Sequence, residues 1–312
     1  MGRLVTIGRN KNKMNGKKNN TKRTSWLVVA VAVLMALMLT LAGCGSSNTS
    51  NNSDSNSTST STSTKNPALA NAVAGDGETL TVGTDATFAP MEFMDASNNF
   101  TGFDMDLMRA IGKDMGVNVK FVNIEWDALI AGLQTKSGQF DMAASAMTIT
   151  PERQKNILFS DPYFVSVQAL AVPKDSSIKS VKDLKKGNKV AVQNGTTGNI
   201  WATNNLKGTG VIIKPYTGGQ DCFTAMAAGE VDAVIIDGPV AGNYTKQATY
   251  NAINLGKIEG ADTENYGLAF PKGSDTLAAA INKSLKNVIA DGTYLKLYQQ
   301  YIDDTNPPVM PQ

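Results

Sequence analysis

Lys189-Val190-Ala191-Val192-Gln193-Asn194-Gly195-Thr196-Thr197-Gly198 passes from an apolar, β-branched run into a turn bracketed by glycines. The run reads as a strand over 189–192, and the turn opens a helix over 197–205. Working outward, the same alternation repeats on both sides. Downstream, a strand over 211–214 precedes a helix over 220–228, and an apolar strand over 231–236 runs into Gly238-Pro239. A further strand over 266–270 is followed by two helices, one from Ser274 and one from Thr293. Upstream, Thr79-Leu80-Thr81-Val82-Gly83 reads as a strand, and 103–115 as a helix with Leu107, Ile111 and Met115 on one stripe. Strands over 117–122 and 140–144 flank a helix over 126–133, and Thr150-Pro151 starts a short helix. Strand and helix alternate in two separate series, which predicts an α/β protein of two lobes. Small ligands of such folds sit beyond the carboxyl ends of strands and between lobes.

The N-terminal part is of another kind. Residues 1–25 hold eight Lys and Arg and no acid, and Trp26 to Ala42 is apolar except for Thr40. A basic segment, an apolar segment and then Leu41-Ala42-Gly43-Cys44 predict a secretory signal over 1–43. The last four residues resemble the bacterial lipobox, so Cys44 is expected to carry lipid and to anchor the protein to the outer face of the cytoplasmic membrane. Residues 44–75, mostly Ser, Thr and Asn in their first two thirds, are read as a disordered tether. Loss of residues 1–43 leaves 21 basic against 27 acidic residues, a net charge of −6. Nucleic acid is a poor partner for such a surface, since phosphate binding needs a basic stripe. With Cys44 lipidated, Cys222 has no mate for a disulfide, and the chain has no histidine. No metal or cofactor is expected, and a monomer is.

The predicted strand ends carry polar groups of definite type. Asp85 follows the first strand, with Phe88 three residues on. Ser145 and Thr148 follow the strand over 140–144, with Arg153 beyond them. Gly195-Thr196-Thr197-Gly198 follows Gln193, and Asp237 ends the run over 231–236. A guanidinium can hold a carboxylate by paired hydrogen bonds, and amides at a helix N-terminus add partial positive charge. Asp237 can take an ammonium group. One cationic and one anionic subsite fit a free α-amino acid. Each piece also has a plainer reading: Asp237 as a helix cap, Gly195–Gly198 as an ordinary turn, Phe88 and Trp126 as core aromatics.

Three longer motifs add a resemblance. Gly102-Phe103-Asp104-Met105-Asp106-Leu107 with Ile111-Gly112 and Met115 is the first. Met147-Thr148-Ile149-Thr150-Pro151-Glu152-Arg153 with Phe159-Ser160-Asp161-Pro162-Tyr163 is the second, and Gly267-Leu268-Ala269-Phe270-Pro271-Lys272-Gly273 the third. Together they resemble the family 3 extracellular solute-binding proteins of amino-acid ABC importers, over about residues 78–305. The resemblance implies the two-lobed, type II periplasmic-binding-protein fold, with two crossover strands as the hinge, near 163–167 and 262–266. Lobe 1 would comprise 76–162 plus 267–305, and lobe 2 168–261. It implies Arg153 as the α-carboxylate clamp, helped by amides at Thr148 and Thr197. The Thr148 hydroxyl, the Ala146 carbonyl and Asp237 would form the ammonium site. Phe88 and Trp126 would sandwich the ligand side chain, and Asp85 would reach its far end. The implied partners are an amino acid and an ABC permease with a separate ATPase. The motif around Gly102–Asp106 is expected to hold the lobe together and is left out of the site.

Gln193 stands where glutamine binders of this family commonly have lysine, which leaves Asp85 without a cation. The expected ligand is therefore arginine or lysine first and glutamine second. An enzyme resembling cyclohexadienyl dehydratase, and a sensor for a signalling receptor, are the alternatives. The absence of histidine and of a paired nucleophile weighs against the enzyme.

Overall fold

The computed structural model describes residues 78–303 and 305–311. The expected signal segment 1–43, the lipidated Cys44, the whole 44–75 tether and residues 76 and 77 of the expected lobe 1 thus lie outside the described residues.

Two mixed sheets organise the chain. The first has strand order Asn118–Asn123, Thr79–Thr84, Met142–Ala143, Ala269–Pro271, Ile157–Phe159, and the first three run parallel. Ala269–Pro271 enters antiparallel to both of its neighbours. The second has order Ile212–Tyr216, Lys189–Gln193, Ala233–Asp237, Phe164–Pro173, Ala252–Lys257, and again the first three are parallel. Thr263–Tyr266 pairs antiparallel with the start of Phe164–Pro173, Tyr266 opposite Phe164 and Thr263 opposite Val167. These two strands are the crossovers, and they join two α/β lobes.

Helix Phe103–Met115 packs its apolar face on the first sheet together with Asp275–Ala290 and Thr293–Tyr301. Each fully buried Leu or Met on that face, such as Leu107 and Met108, contributes on the order of 1.5–3 kcal/mol. The left-handed Gly116 (φ 74°) ends the helix by donating its N–H to the Gly112 and Lys113 carbonyls. Phe103–Met115, Trp126–Thr135, Thr197–Leu206 and Gly219–Ala227 are the crossover helices of the parallel strands.

Several features differ from the sequence expectation, among them the strand expected over 140–144, which is only Met142–Ala143. The strand expected over 266–270 is two strands, Thr263–Tyr266 and Ala269–Pro271. At Gly267 the chain leaves one sheet for the other, and a Cβ there would lie 2.8 Å from Ile149, so the crossing needs glycine. The ten-residue strand Phe164–Pro173 extends well beyond the expected crossover. A helix, Gly238–Thr245, follows Asp237 directly, with Pro239 in its first turn, where a missing N–H costs nothing.

The lobes touch across the cleft. Thr87 of lobe 1 accepts from the Gly219 N–H at its hydroxyl (3.2 Å) and from the Tyr244 hydroxyl at its carbonyl (3.2 Å). The Asn194 amide donates to Asp127 at 2.6 Å.

Candidate functional site

The first strand delivers Asp85 to the cleft with 4 % of its surface exposed. Its own N–H donates to Ser145 Oγ (3.0 Å), and Ser145 donates in turn to Glu92 Oε1 (3.0 Å). The Asp85 carboxylate accepts from the Thr87 hydroxyl at 2.9 Å and, across the cleft, from Gln193 Nε2 at 2.7 Å. Neither donor carries charge. Burial pushes the Asp85 carboxyl up to about 6, against the pull of those two hydrogen bonds. Glu92 is buried on the short strand Glu92–Met94, and burial followed by the nearby Asp104 holds its carboxyl well above the usual carboxylate range. Its Oε2 has no hydrogen-bond partner among the described residues.

A second cluster surrounds Arg153. The Thr150 hydroxyl caps the short helix Pro151–Gln154 by accepting the Arg153 N–H at 3.1 Å, which fixes the root of the side chain. The guanidinium donates to the Thr148 carbonyl (2.9 Å) and more weakly to that of Gly195 in the other lobe (3.4 Å). It lies 5.1 Å from the Trp126 ring centroid, in cation–π contact. Burial lowers its pKa to about 10, while Glu264 and Asp237 favour its charge.

Ala146 sits between the clusters with φ 43°, a left-handed conformation that is strained for a residue with a Cβ. Its N–H is held by Asp104 Oδ2 at 2.8 Å, and Asp104 accepts the Tyr163 hydroxyl at 2.7 Å. The motif around Gly102–Asp106 thus stays out of the cleft wall but pins a residue that forms it.

Lobe 2 supplies the rest. Gly195 (φ 68°) allows the turn before helix Thr197–Leu206 to pass against Asp127 and Trp126, where a Cβ would stand 2.5 Å from Asp127 Oδ1. Thr196 caps the helix, accepting the Asn199 N–H at 3.2 Å and donating to the Gln193 carbonyl at 2.8 Å. Asp237 holds the N-cap position of the next helix, but its side chain makes no capping bond. Instead it accepts from Gln168 Nε2 (2.6 Å) and from the Tyr266 hydroxyl. Burial, and then the negative charge of Glu264, raise its carboxyl to about 7.

Asp85, Phe88, Trp126, Ser145, Ala146, Thr148, Arg153, Gln193, Thr196, Thr197 and Asp237 all line one cleft, whose empty space, open solvent included, is about 300 Å³. Glu92 lines it as well, and the sequence reading missed it. Its signal was a single acid within Ala89-Pro90-Met91-Glu92-Phe93-Met94. Gln168 and Glu264, both on crossover strands, form the hydrogen bonds behind the wall and were missed too. Among the described residues no cluster of three or more His, Cys, Asp or Glu could hold a metal ion. Cys222 is buried, and burial raises its thiol far above the usual range.

A family model, bacterial extracellular solute-binding proteins, family 3, matches residues 80–304. The chain belongs to this family. A probable histidine-binding protein of Neisseria gonorrhoeae is 34 % identical over 232 residues, covering 74 % of this chain and 86 % of its relative. Among solved structures, an ancestral arginine-binding protein bound to arginine superposes with TM-score 0.66 at 42 % identity, covering 72 % of this chain and 97 % of that one. An ancestral amino acid-binding protein described as a precursor of cyclohexadienyl dehydratase superposes with TM-score 0.66 at 41 % identity, covering 72 % and 95 %. This family 3 protein thus resembles chains whose names speak of amino-acid binding, and it shares their two-lobed fold.

Proposed function

We propose that this family 3 protein binds a free amino acid with a cationic side chain between its lobes and hands it to an ABC permease. On this reading it works outside the cell, tethered by lipid on Cys44. The observation that carries the choice of ligand is a charge imbalance. The cleft and the residues directly behind it hold Asp85, Glu92, Asp237 and Glu264 against one cation, Arg153. An amino acid's carboxylate answers Arg153 and its ammonium answers Asp237. Asp85 and Glu92 then remain with neutral donors only, and a buried charge without a counter-charge is costly. A guanidinium or ammonium on the ligand side chain supplies that counter-charge and gives the free Oε2 of Glu92 a donor. The likeness to an arginine-binding protein supports the same reading.

Binding is favoured over catalysis because the carboxylates near the ligand are engaged: Asp237 by Tyr266 and Gln168, Asp85 by Thr87 and Gln193. The Asp85 carboxyl, raised to about 6, favours a dehydratase as the second reading, since a general acid needs a pKa near neutrality. Loss of prephenate on incubation would favour it.

Titration calorimetry across the twenty amino acids tests the proposal. Arginine or lysine should bind most tightly and glutamine next, with glutamate not binding. Tight binding of glutamate or of an apolar amino acid, with none of arginine or lysine, would overturn it.

A further inference from the structure

Glu264 occupies an unusual place. It lies on the crossover strand Thr263–Tyr266, opposite Ser166, and so in the hinge between the lobes. A single oxygen, Oε2, accepts from Thr148 Oγ1 of lobe 1 at 2.8 Å and from Thr197 Oγ1 of lobe 2 at 2.9 Å. Its other oxygen, Oε1, accepts from Gln168 Nε2 at 3.3 Å. Both threonines line the cleft, and Glu264 stands behind them.

A hydroxyl has one proton to give and two lone pairs to offer, whereas a carboxylate only accepts. Each threonine therefore spends its proton on Glu264. Thr197 also lies 3.2 Å from Gln168 Nε2, whose second N–H, beside the one given to Asp237, is shared between Thr197 and Glu264, so Thr197 keeps at least one lone pair for the cleft. Toward the ligand the two side chains can then only accept. We infer that Glu264 is a positioning residue for ligand binding: by taking the hydroxyl protons of Thr148 and Thr197 it turns both into acceptors for the ligand's α-ammonium group, beside Asp237. The inference rests on the amino-acid-binding function proposed above. It also explains why the acceptor set is complete only when the lobes meet, since its two threonines come from different lobes and share one oxygen.

Glu264→Gln in the full chain tests it. Both hydroxyls meet one carboxylate oxygen and the other oxygen faces the Gln168 amide nitrogen, so a glutamine keeps its carbonyl toward Gln168 and sets its amide nitrogen before the threonines; that nitrogen donates to the hydroxyls, whose own protons then turn into the cleft. The probes are arginine and 5-guanidinopentanoate, which differ only in the α-ammonium group. With calorimetry, arginine affinity should fall roughly ten- to a hundredfold, the effect of losing a charged hydrogen bond. Affinity for 5-guanidinopentanoate should change less than about threefold, the span left for a bond that this ligand never makes. Equal weakening of both ligands, or unchanged arginine binding, would overturn the inference and leave the proposed function intact. If the wild-type chain binds no amino acid at all, the function falls and the inference with it. Should the glutamine variant fold poorly, Thr197→Val removes one acceptor at nearly constant volume and must show the same selective loss of arginine, or the inference fails.

Discussion

The two clusters that face each other across the cleft are built on opposite principles. Around Arg153 and Asp237, charges of both signs are held within one hydrogen-bonded net that runs through Thr148, Gln168, Glu264 and Tyr266. Around Asp85 and Glu92, carboxylates are buried with hydroxyl and amide donors and no cation. The first cluster matches what every α-amino acid carries. The second asks for something only some of them have. On the proposed reading, general affinity and selectivity fall to different side chains, and altering the second set alone would change the ligand.

The comparison breaks most visibly at Arg153. Arg153→Ala leaves the ligand carboxylate without its counter-charge in a desolvated cleft, and truncating one partner of such a pair costs about 2–5 kcal/mol. Arginine, lysine and glutamine should all lose affinity by a similar factor in calorimetry. A loss confined to the basic ligands would mean that Arg153 belongs to the selective cluster, and the division of labour would be wrong.

A smaller and selective effect is expected in the other cluster. Asp85→Asn and Glu92→Gln each keep the shape of the wall and remove one negative charge. Arginine binding should weaken by about 1.5–3 kcal/mol, the worth of a hydrogen bond to a charged group. Glutamine should bind about as before, or slightly better, because an ionisable carboxyl no longer has to be accommodated. The ratio of the two dissociation constants is the measurement. If Glu92→Gln leaves that ratio unchanged, the unpartnered Oε2 does not meet the ligand.

Much of this layout was legible before any coordinates. Parallel strands are near-continuous apolar runs, so Val82, Val190 to Val192 and Val234 to Ile236 marked the sheets, and the polar residue after each run marked the cleft. Glu264 and Glu92 were hidden because their partners are far away in sequence. Glu264 meets Thr197 and Thr148 across 67 and 116 residues, and Glu92 meets Ser145 across 53. No local spacing encodes such pairs. Phe164–Pro173 was hidden differently, since its polar Ser166 and Gln168 are buried and interrupt the apolar signal of a strand. Their side chains serve the hinge, Ser166 donating to the Tyr266 hydroxyl, whose own proton goes to Asp237, and Gln168 donating to Asp237.

The smallest expected effect is in pH, and it distinguishes the clusters without mutation. Burial raises Asp85 from 3.8 to about 6 and Asp237 to about 7, and it raises Glu92 in the same direction. Between about pH 4 and 6 the folded protein keeps a proton on Asp85 that the unfolded chain has released, so the stability of the ligand-free protein falls as pH rises through that window. Glu125 and Asp221 oppose the ionisation of Asp85, and Asp104 that of Glu92. A cationic side chain must displace those protons, so its affinity should climb with pH. Ionisation of Asp237 affects every α-amino acid alike and cancels in a ratio. From pH 5 to 7.5 the preference for arginine over glutamine should therefore rise by roughly tenfold, the effect of one linked proton over about one unit. A flat ratio would place the arginine side chain away from Asp85 and Glu92, because no ligand cation can pair with a buried carboxyl group that still holds its proton.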